Sequence, residues 1–242
     1  MEREAYRLME HQEETHWWFV ARRQIIRDLI SRHASLPCNA KILEAGCGTG
    51  GNLALLTSFG ELSAFEFDAE ARVVATHKSG IQIDQGSLPD GLDYKDGYFD
   101  LIVLLDVLEH LDEDSASLEA LKEKLKVSGK ILITVPAMPW LWSNHDVLHH
   151  HKRRYTKAQL KRILTATGFG EIRVEYFNFL LFPLAVLERT LIRIGIRQND
   201  TSGSVSPSVN AAFRSIFASE AALMRHVSFP FGLSLYAVAS RG

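Results

Sequence analysis

The 242-residue sequence predicts a doubly wound α/β domain, and three features lead to this prediction. Short apolar runs of strand length recur along the chain, stretches with helical periodicity separate most of them, and a glycine-rich turn follows the first run. Strands that alternate with helices form a parallel sheet with right-handed crossovers and helices on both faces. Hydrophobic residues make up 46% of the chain, which supplies enough apolar side chains for a buried core.

The first two thirds of the chain carry most of the predicted elements. A helix is expected over residues 2–34, because apolar residues recur there at helical spacing and Pro37 stops the pattern. Five strands are then expected, at residues 41–45, 62–67, 81–84, 99–105 and 130–135. Helices are expected between most of them, at residues 52–58, 69–77 and 115–126.

After Val135 the pattern changes, because residues 136–155 are rich in Pro, Trp and His and have neither period. We interpret this stretch as a loop. A helix is predicted at 156–167, with Thr156 as its N-cap and Gly168 at its end. Two more strands are predicted at 171–177 and 233–239, and the residues between them form an insertion that contains the turn-rich stretch 197–208.

Composition excludes some classes of function. Lys and Arg (27) nearly balance Asp and Glu (29), so no strong positive field favours nucleic acid, and no such partner is expected. The N-terminus resembles no signal peptide, and Cys38 and Cys47 fit neither a disulfide framework nor a zinc pattern, which predicts a cytoplasmic protein. The apolar stretch 177–196 is too interrupted to span a bilayer. It predicts either a helix packed on its own domain or a second subunit, or peripheral contact with a membrane.

The glycine-rich turn does not by itself identify its ligand. Gly46, Gly48 and Gly51 match GxGxxG, and Glu66 follows at about the spacing, roughly 20 residues, that dinucleotide folds use to hold ribose. Glu44, however, ends the first strand, where a carboxylate would repel a pyrophosphate. The same charge attracts a cation by roughly 4 kcal/mol at 4 Å in a dielectric of about 20. S-adenosylmethionine fits better than a nicotinamide dinucleotide, because it carries a sulfonium, an ammonium and a ribose but no phosphate.

At this point the sequence resembles the class I S-adenosylmethionine-dependent methyltransferases of the bacterial small-molecule type. Glu44, Gly46, Gly48 and Gly50 match the acid-x-Gly-x-Gly-x-Gly motif of that family. Three later stretches are similar to its next motifs, in the expected order: "FEFDAE", "DQGSLPD" and "FDLIVLLDVLEHL". The resemblance covers most of the chain. It implies a Rossmann-like, seven-stranded, mostly parallel sheet with an antiparallel last strand, an N-terminal helical lid over 1–37, and a catalytic domain over 38–242 with a helical insertion at about 178–231.

The resemblance also implies a cofactor site. Glu66 is expected on the ribose diol and Phe67 against the adenine, while Asp106 and Val107 are expected beside the methionyl part. The family often has Asp at the position of Ser87, so this chain departs from the pattern there. The full expected set is Glu44, Gly46, Cys47, Gly48, Gly50, Asn52, Glu66, Phe67, Ser87, Leu88, Asp106, Val107, Trp18 and Arg22. The alternative for single members is structural, as a tight turn at the glycines or a helix cap at Asp106.

The stretch "HWWF" before the first predicted strand indicates how the lid is built. Trp17 and Trp18 are adjacent, so they cannot both face one side of a helix. One is expected to close over the cofactor and the other to pack in the core, while Arg22 or Arg23 meets the cofactor's carboxylate. The alternative is that the stretch only anchors the first helix.

The acceptor of the methyl group is expected at the segment after the fifth strand, since that segment leaves the cofactor edge of the sheet. It resembles a "WSxHD" then "HxRRY" pattern of related bacterial methyltransferases of unassigned substrate. His145 or His151 is the expected base and Asp146 its orienting partner, with Arg153 or Arg154 available for an acidic acceptor. The expected substrate-binding residues are Trp142, Arg154 and Tyr155. The alternative is that several of these side chains are structural or solvated.

No metal site is predicted, because His145 and His149 lack cysteine ligands and an HExxH context, and Glu109 and His110 are interpreted as capping or charge residues. The predicted function is methyl transfer from S-adenosylmethionine to a small molecule, such as a sugar, a lipid-linked compound or a secondary metabolite. Alternatives are a protein or RNA methyltransferase and a noncatalytic cofactor-binding scaffold. The methylated atom and the oligomeric state stay open, with a dimer among the options.

Overall fold

The computed structural model describes residues 10–196 and 205–242 and contains one seven-stranded sheet. Strands β1 to β7 are Lys41–Ala45, Glu61–Glu66, Asp84–Gln85, Phe99–Leu105, Leu125–Pro136, Phe169–Phe177 and Ser234–Arg241. Helices α1 to α8 of the described chain are Trp17–His33, Leu53–Thr57, Ala69–Ser79, Asp114–Lys124, Asn144–Leu148, Lys157–Ala166, Phe182–Arg193 and Pro207–Leu223. The predicted fold class is confirmed.

The order of strands across the sheet is β3-β2-β1-β4-β5-β7-β6. The pairs from β3 to β5 are parallel, as the alternation of strands and helices predicts, whereas β7 runs antiparallel between β5 and β6. Strand β6 joins the sheet through β7, its one neighbour among the described strands. The chain order reverses at β1 and β4, so a crevice opens beyond their carboxyl ends, where ligands of such sheets bind.

Two apolar layers cover the two faces of the sheet. Along β4, Leu101 and Val103 belong to the core that includes α1 and α8, whereas Ile102 and Leu104 belong to the core that includes α4 and α6. This alternation follows from the two-residue period of a strand. Since both faces of β4 are buried from Leu101 onward, residues 101–105 are all apolar, and the predicted bounds of the strand, 99–105, are confirmed.

The predicted N-terminal helix is wrong in its extent, although residues 2–9 lie outside the described residues. Helix α1 begins at Trp17, and a turn occupies residues 13–15, where the N–H groups of Thr15 and His16 donate to the carbonyl of Gln12. This turn brings Glu13 against the glycine-rich turn after β1, where Thr49 donates to it at 3.0 Å. A contact distant in sequence therefore interrupts the helical pattern.

Residues 136–155 are not the plain loop that was predicted. They contain a 3₁₀ turn at Pro139–Leu141 and the short helix α5. A capping box holds α5, in which the Ser143 N–H donates to Asp146 Oδ2 at 2.8 Å and the Ser143 side chain contacts the same carboxylate. Five residues are too few to produce a recognisable helical period.

Helices α7 and α8 form the predicted insertion, and α8 packs on α1. Trp17 lies edge-on to Phe213 and Phe217, at centroid distances of 5.4 and 5.9 Å. The buried carboxylate of Glu220 accepts the backbone N–H groups of Asn178 and Leu180, which ties α8 to the end of β6. Residues 197–204, most of the predicted turn-rich stretch, lie outside the described residues.

Helix α7 buries none of its side chains in the described chain, and Leu184 and Leu187 are exposed. The predicted packing of this face on its own domain is therefore wrong for these two residues, while contact with a membrane or a second subunit stays a prediction. Among the described residues, no helix combines the length and apolarity needed to cross a membrane.

Candidate active site

The glycine-rich turn after β1 needs glycine for two physical reasons. Gly46, Gly48 and Gly50 all have positive φ, at 75°, 55° and 87°, where other residues are strained. A Cβ on Gly46 would lie 3.0 Å from Val107, which follows β4, so the turn also packs tightly against that strand end. A Cβ on Gly48 would meet no atom within 4 Å. Gly48 thus faces open space at the carboxyl end of β1, where a ligand can approach the backbone.

Glu44 points a buried carboxylate at this turn. It is 1% exposed, and its Oε1 accepts a hydrogen bond from Asn52 Nδ2 at 3.0 Å, whereas Oε2 has no hydrogen-bond partner among the described residues. Burial raises the pKa of Glu44 to about 8, although the Asn52 hydrogen bond and the charge of Arg22 oppose the shift. A buried polar oxygen without a partner is rare in folded proteins. A cationic ligand would give Oε2 the partner that it lacks.

Cys47 and Asn52 support the turn. The Cys47 side chain lies in an apolar cluster with Leu53 and Ala75, and burial raises the pKa of its thiol well above the usual range. The side chain of Cys47 therefore packs in the core, and only its backbone is left for the predicted contact with the cofactor. Asn52 acts through Glu44, whose carboxylate it positions.

Glu66 ends β2 and receives two backbone hydrogen bonds. The Gly48 N–H donates to its Oε2 at 2.8 Å and the Asp68 N–H donates to its Oε1 at 3.0 Å. A carboxylate has about four acceptor positions, so these bonds fix its orientation and leave capacity for ribose hydroxyls. Phe67 follows with 76% of its surface exposed, as an apolar face beside this acid.

The third predicted cofactor segment contributes less than expected. The Ser87 hydroxyl donates to the carbonyl of Asp90 in its own loop, so it has no proton left for an adenine ring. Leu88 is partly buried against the core. The departure of Ser87 from the family pattern thus coincides with a structural role.

Helix α1 is attached to the ends of β4 and β5 through Arg22. The buried guanidinium lies 2.6 Å from Asp106 Oδ2 and donates to Thr134 Oγ1 at 2.7 Å. Its carbon lies 5.0 Å from the centroid of the Trp18 ring. Arg22 or Arg23 was expected to meet the cofactor's carboxylate. In the structure Arg22 pairs with Asp106, and Arg23 donates to the Gly51 carbonyl at 3.4 Å. Asp106 itself has a positive φ of 57° and serves here as an ion-pair partner.

Glu13 is a site residue that the sequence analysis missed. Its buried carboxylate accepts from Thr49 and pairs with Lys78 on α3, and a Cβ on Gly51 would overlap it. It therefore fastens the segment before α1 to the glycine turn. Its surroundings in the sequence are charged and polar, so no local signal indicates burial.

In the segment after β5, Asp146 is fully buried and organises its neighbours. Its Oδ1 accepts from Arg154 Nε at 2.7 Å and lies 2.9 Å from His151 Nδ1. Burial alone would raise the pKa of Asp146, but the hydrogen bonds from His151 and Arg154 outweigh it and hold the pKa below its usual range. Since the ionised carboxylate can only accept, His151 Nδ1 is the donor in this contact, and Nε2 is the ring nitrogen left for another partner. The predicted orienting role of Asp146 therefore applies to His151.

The other predicted residues of this segment separate into two groups. Arg154 is buried and also donates to the carbonyl of Ala137, so the prediction that it binds substrate is wrong, and it positions Asp146 instead. Tyr155 is buried with its hydroxyl 3.0 Å from Asp114, which makes it structural as well. His145 is exposed, with its ring 4.3 Å from that of His149 and 6.2 Å from that of His151. Trp142 stays partly exposed at the same end.

Glu109 lies beneath this segment, in a 3₁₀ turn after β4, and is fully buried. Neither of its carboxylate oxygens has a hydrogen-bond partner in the part of the chain that the structure describes, so of the predicted capping or charge role the capping part is wrong. Burial, reinforced by the charge of Asp106, raises the pKa of Glu109 well above its ordinary value. One donor atom each from Glu109, His110 and His151 lie within 4.8 Å of one another.

Comparison with known proteins identifies the family. Residues 18–173 match the family described as "methyltransferase domain". The chain belongs to this family. The chain therefore contains a methyltransferase domain, and S-adenosylmethionine is the cofactor that the glycine-turn argument predicts for it.

Curated relatives of this methyltransferase are ubiquinone biosynthesis O-methyltransferases. One from Xylella fastidiosa is 32% identical over 114 residues, covering 44% of this chain and 46% of the relative. One from Xanthomonas axonopodis pv. citri is 29% identical over 104 residues, covering 40% of this chain and 44% of the relative. The match therefore spans less than half the length of these relatives.

Solved structures share the fold at low identity. A possible histamine N-methyltransferase from Thermotoga maritima has a TM-score of 0.61 at 15% identity, covering 98% of this chain and 99% of its own. A methyltransferase from Archaeoglobus fulgidus has a TM-score of 0.59 at 18% identity, covering 90% and 94%. A phosphoethanolamine N-methyltransferase from Haemonchus contortus, solved with S-adenosylmethionine, has a TM-score of 0.56 at 18% identity, covering 88% and 51%.

The residues of the methyltransferase fit its cofactor. The unpartnered Oε2 of Glu44 suits a positively charged group, and Glu66 has acceptor capacity for a ribose. At Gly48 an added Cβ would meet no described atom within 4 Å, so a ligand can approach the backbone of the turn there. Of the expected cofactor contacts, Glu44, Gly48 and Glu66 stay grouped at this turn, with Phe67 next to Glu66.

Proposed function

We propose that the enzyme methylates a small-molecule acceptor bound at the carboxyl ends of β4 and β5, between α1 and residues 139–155. The observation that carries this proposal is the pairing of His151 with the buried Asp146, since it presents an oriented imidazole on a segment that leaves the cofactor edge of the sheet. Trp140 and Trp142 are partly exposed on the same segment and offer apolar surface to an acceptor.

His151 has a defined part in this chemistry. When bound, S-adenosylmethionine supplies a methyl group on a positively charged sulfur, so little activation of the leaving group is needed. The acceptor atom must be aligned and must lose its proton. Asp146 holds the proton of His151 on Nδ1, and Nε2 is therefore the atom that takes the proton of the acceptor.

The balance of charges and the relatives support a small acceptor with a hydroxyl group. The formal net charge is −2, which offers no broad basic surface for RNA. The curated relatives are named as O-methyltransferases of ubiquinone biosynthesis, which supports oxygen as the methylated atom. The exposed tryptophans favour an acceptor that is partly apolar.

The test follows the label from methyl-labelled S-adenosylmethionine in a cell extract that has been separated into low-mass, protein and RNA fractions. We expect label in the low-mass fraction. Label confined to protein or RNA would contradict the proposal, and tight cofactor binding without label in any fraction would favour a noncatalytic scaffold.

The role of His151 is tested with His151→Asn, because the amide of Asn can replace Nδ1 as a donor to Asp146 but has no counterpart of Nε2. Turnover should fall at least about a hundredfold, while calorimetric affinity for S-adenosylhomocysteine stays within about twofold of wild type. His77→Asn on the exposed face of α3 is the matched control and should keep full activity. Unchanged turnover in His151→Asn would overturn the assignment.

A further inference from the structure

Glu109 presents a problem that the methyl-transfer proposal does not solve. It is 0% exposed, and both of its carboxylate oxygens lack a hydrogen-bond partner within residues 10–196 and 205–242. Burying an unpaired carboxylate is costly, and such groups in folded proteins are normally paired or bound to a metal. Some further positive or polar group is therefore needed at these oxygens.

Two imidazoles lie beside Glu109. The rings of His110 and His151 meet edge to face at a centroid distance of 4.8 Å. One donor atom from each ring and one from the Glu109 carboxylate lie within 4.8 Å of one another. Two imidazoles and a carboxylate are the protein ligands of one common type of catalytic zinc site.

The surroundings of His151 match those of a metal ligand. A histidine bound to a metal usually donates its other ring N–H to a carboxylate, which fixes the ring and its tautomer. His151 makes this contact with Asp146, which Arg154 and the Ser143 N–H hold in turn. The buried positive charge of Arg154 is offset by its ion pair with Asp146 at 2.7 Å, and Glu109 becomes a carboxylate when it binds the ion, because metal ligands must lose their protons.

We propose that Glu109, His110 and His151 bind one divalent transition-metal ion, with Zn²⁺ as the expected ion. Zinc bonds to nitrogen and oxygen are about 2.0–2.2 Å long, so tetrahedral ligand atoms lie roughly 3.3 Å apart. The donor atoms must therefore close from separations of up to 4.8 Å, a movement that small rotations of the three side chains can supply.

The site lies where it can act on the acceptor. Glu109 follows Asp106 by one short turn at the carboxyl end of β4, and His151 belongs to the proposed acceptor segment. Three protein ligands leave a coordination position open. A hydroxyl of the acceptor bound there would lose its proton more easily, as water on zinc does.

This last step rests on the proposed function and refines the part played by His151. In the metal-bound enzyme, His151 Nε2 would hold the ion instead of taking the proton of the acceptor, and that proton would leave to solvent. The new bond joins the acceptor oxygen to the methyl carbon as the carbon–sulfur bond breaks, and its electron pair stays on the sulfur of S-adenosylhomocysteine.

The binding test needs neither acceptor nor cofactor. Protein stripped with a chelator is titrated with Zn²⁺ by calorimetry, and Co²⁺ is added separately to record its visible absorption. We expect one ion per chain and a Co²⁺ spectrum typical of tetrahedral or five-coordinate nitrogen and oxygen ligands. Glu109→Gln, His110→Asn and His151→Asn should each weaken Zn²⁺ binding at least tenfold, and Asp146→Asn should weaken it about 10–100-fold through the ring of His151.

Two control variants make the assignment specific. His149→Asn removes a ring 5.8 Å from that of His151, and His77→Asn removes a distant exposed histidine, so both should bind Zn²⁺ like wild type. Circular dichroism and thermal melting confirm that each variant is folded. The proposal is overturned if wild type binds no stoichiometric Zn²⁺ or Co²⁺, or if folded Glu109→Gln binds them undiminished.

The outcomes for metal binding and methyl transfer can be told apart. Full methyl transfer by the chelated enzyme, without metal binding, would overturn the metal site and leave His151 as the direct base. Stoichiometric, ligand-dependent Zn²⁺ binding without methylation of any small molecule would support the metal site and contradict the proposed function. Methyl transfer that is lost on chelation and restored by Zn²⁺ supports both.

Discussion

The Arg22 guanidinium on α1 lies 2.6 Å from the Asp106 carboxylate beyond β4, and 95% of the Arg22 side chain is withdrawn from solvent. The pair joins the N-terminal helix to the strand end where the methionyl part of the cofactor is predicted. Thr134 on β5 contacts both partners, donating to Asp106 at 3.1 Å and accepting from Arg22. The side chains that attach α1 to the sheet therefore also lie at the strand ends that border the cofactor crevice.

Arg22→Met should lower the free energy of unfolding by about 3 kcal/mol, because it leaves Asp106 without its partner in a largely buried site. Arg27→Met on the exposed face of the same helix should change it by less than about 0.5 kcal/mol. Urea unfolding measures both. The double variant Arg22→Met, Asp106→Asn should be more stable than the sum of the single changes predicts, and simple additivity would contradict the coupling.

Glu44→Gln should weaken S-adenosylmethionine binding by about tenfold, since the amide cannot offer a negative charge to a sulfonium or an ammonium. Calorimetry measures this effect. Glu119→Gln, an exposed acid on α4, is the matched control and should bind like wild type. Equal affinities of wild type and Glu44→Gln would remove the electrostatic basis of the cofactor argument.

The pH dependence of the free energy of unfolding should also report the raised pKa of Glu44. Its pKa is raised to about 8 from 4.5, mainly by burial, with Glu13 and Glu66 adding to the shift and Arg22 opposing it. The folded state therefore holds this proton more tightly than the unfolded state, so stability is greatest below about pH 4.5 and is lost as pH rises towards 8.

Compared with Glu44→Gln, wild type should lose up to about 1.4 kcal/mol per pH unit between roughly pH 5 and 8, and the difference should level off above that. Paired urea titrations across this range provide the measurement, because other titrating groups cancel between the two proteins. A difference independent of pH would show that Glu44 is ionised throughout. Saturating S-adenosylmethionine should flatten the slope, since a cation favours the ionised form.

Substitutions of the two adjacent tryptophans should have different effects, one on the free energy of unfolding and the other on cofactor affinity. Trp17→Ala removes the edge contacts with Phe213 and Phe217 on α8 and should cost about 2–3 kcal/mol of unfolding free energy. Trp18→Ala removes the ring that faces Arg22 and should mainly weaken cofactor affinity. Urea unfolding and calorimetry of both variants test this division, and the lid interpretation fails if Trp18→Ala leaves affinity unchanged.

The buried strands were the most predictable part of the fold. β1 and β4 are buried on both faces over most of their length, so their sequences are predominantly apolar, with Glu44 the one charged residue buried in them. The glycine turn was predictable because its conformation restricts residue choice at Gly46, Gly48 and Gly50. The break before α1 was not predictable, since it depends on Glu13 reaching Thr49 on a distant part of the chain.

The residues of the acceptor segment could be recognised from the sequence as candidates, but their individual roles could not be assigned. Without a period, the sequence does not indicate which of several consecutive polar side chains turn inward. Arg154 and Tyr155 turn inward to carboxylates, whereas Trp142 stays partly exposed. The burial of Glu109 also depends on this segment, because the Lys152 N–H donates to the Glu109 carbonyl at 2.7 Å and closes the segment over it.

The placement of β7 between β5 and β6 has a consequence for synthesis on the ribosome. β1 to β5 form a parallel array that carries the glycine turn, Glu44 and Glu66, and this array can assemble as soon as β5 has emerged. β6 must wait, because its sheet neighbour is translated only after the insertion with α7 and α8. The part of the sheet that carries the cofactor site can therefore form early in synthesis, and β6 and the insertion join it last.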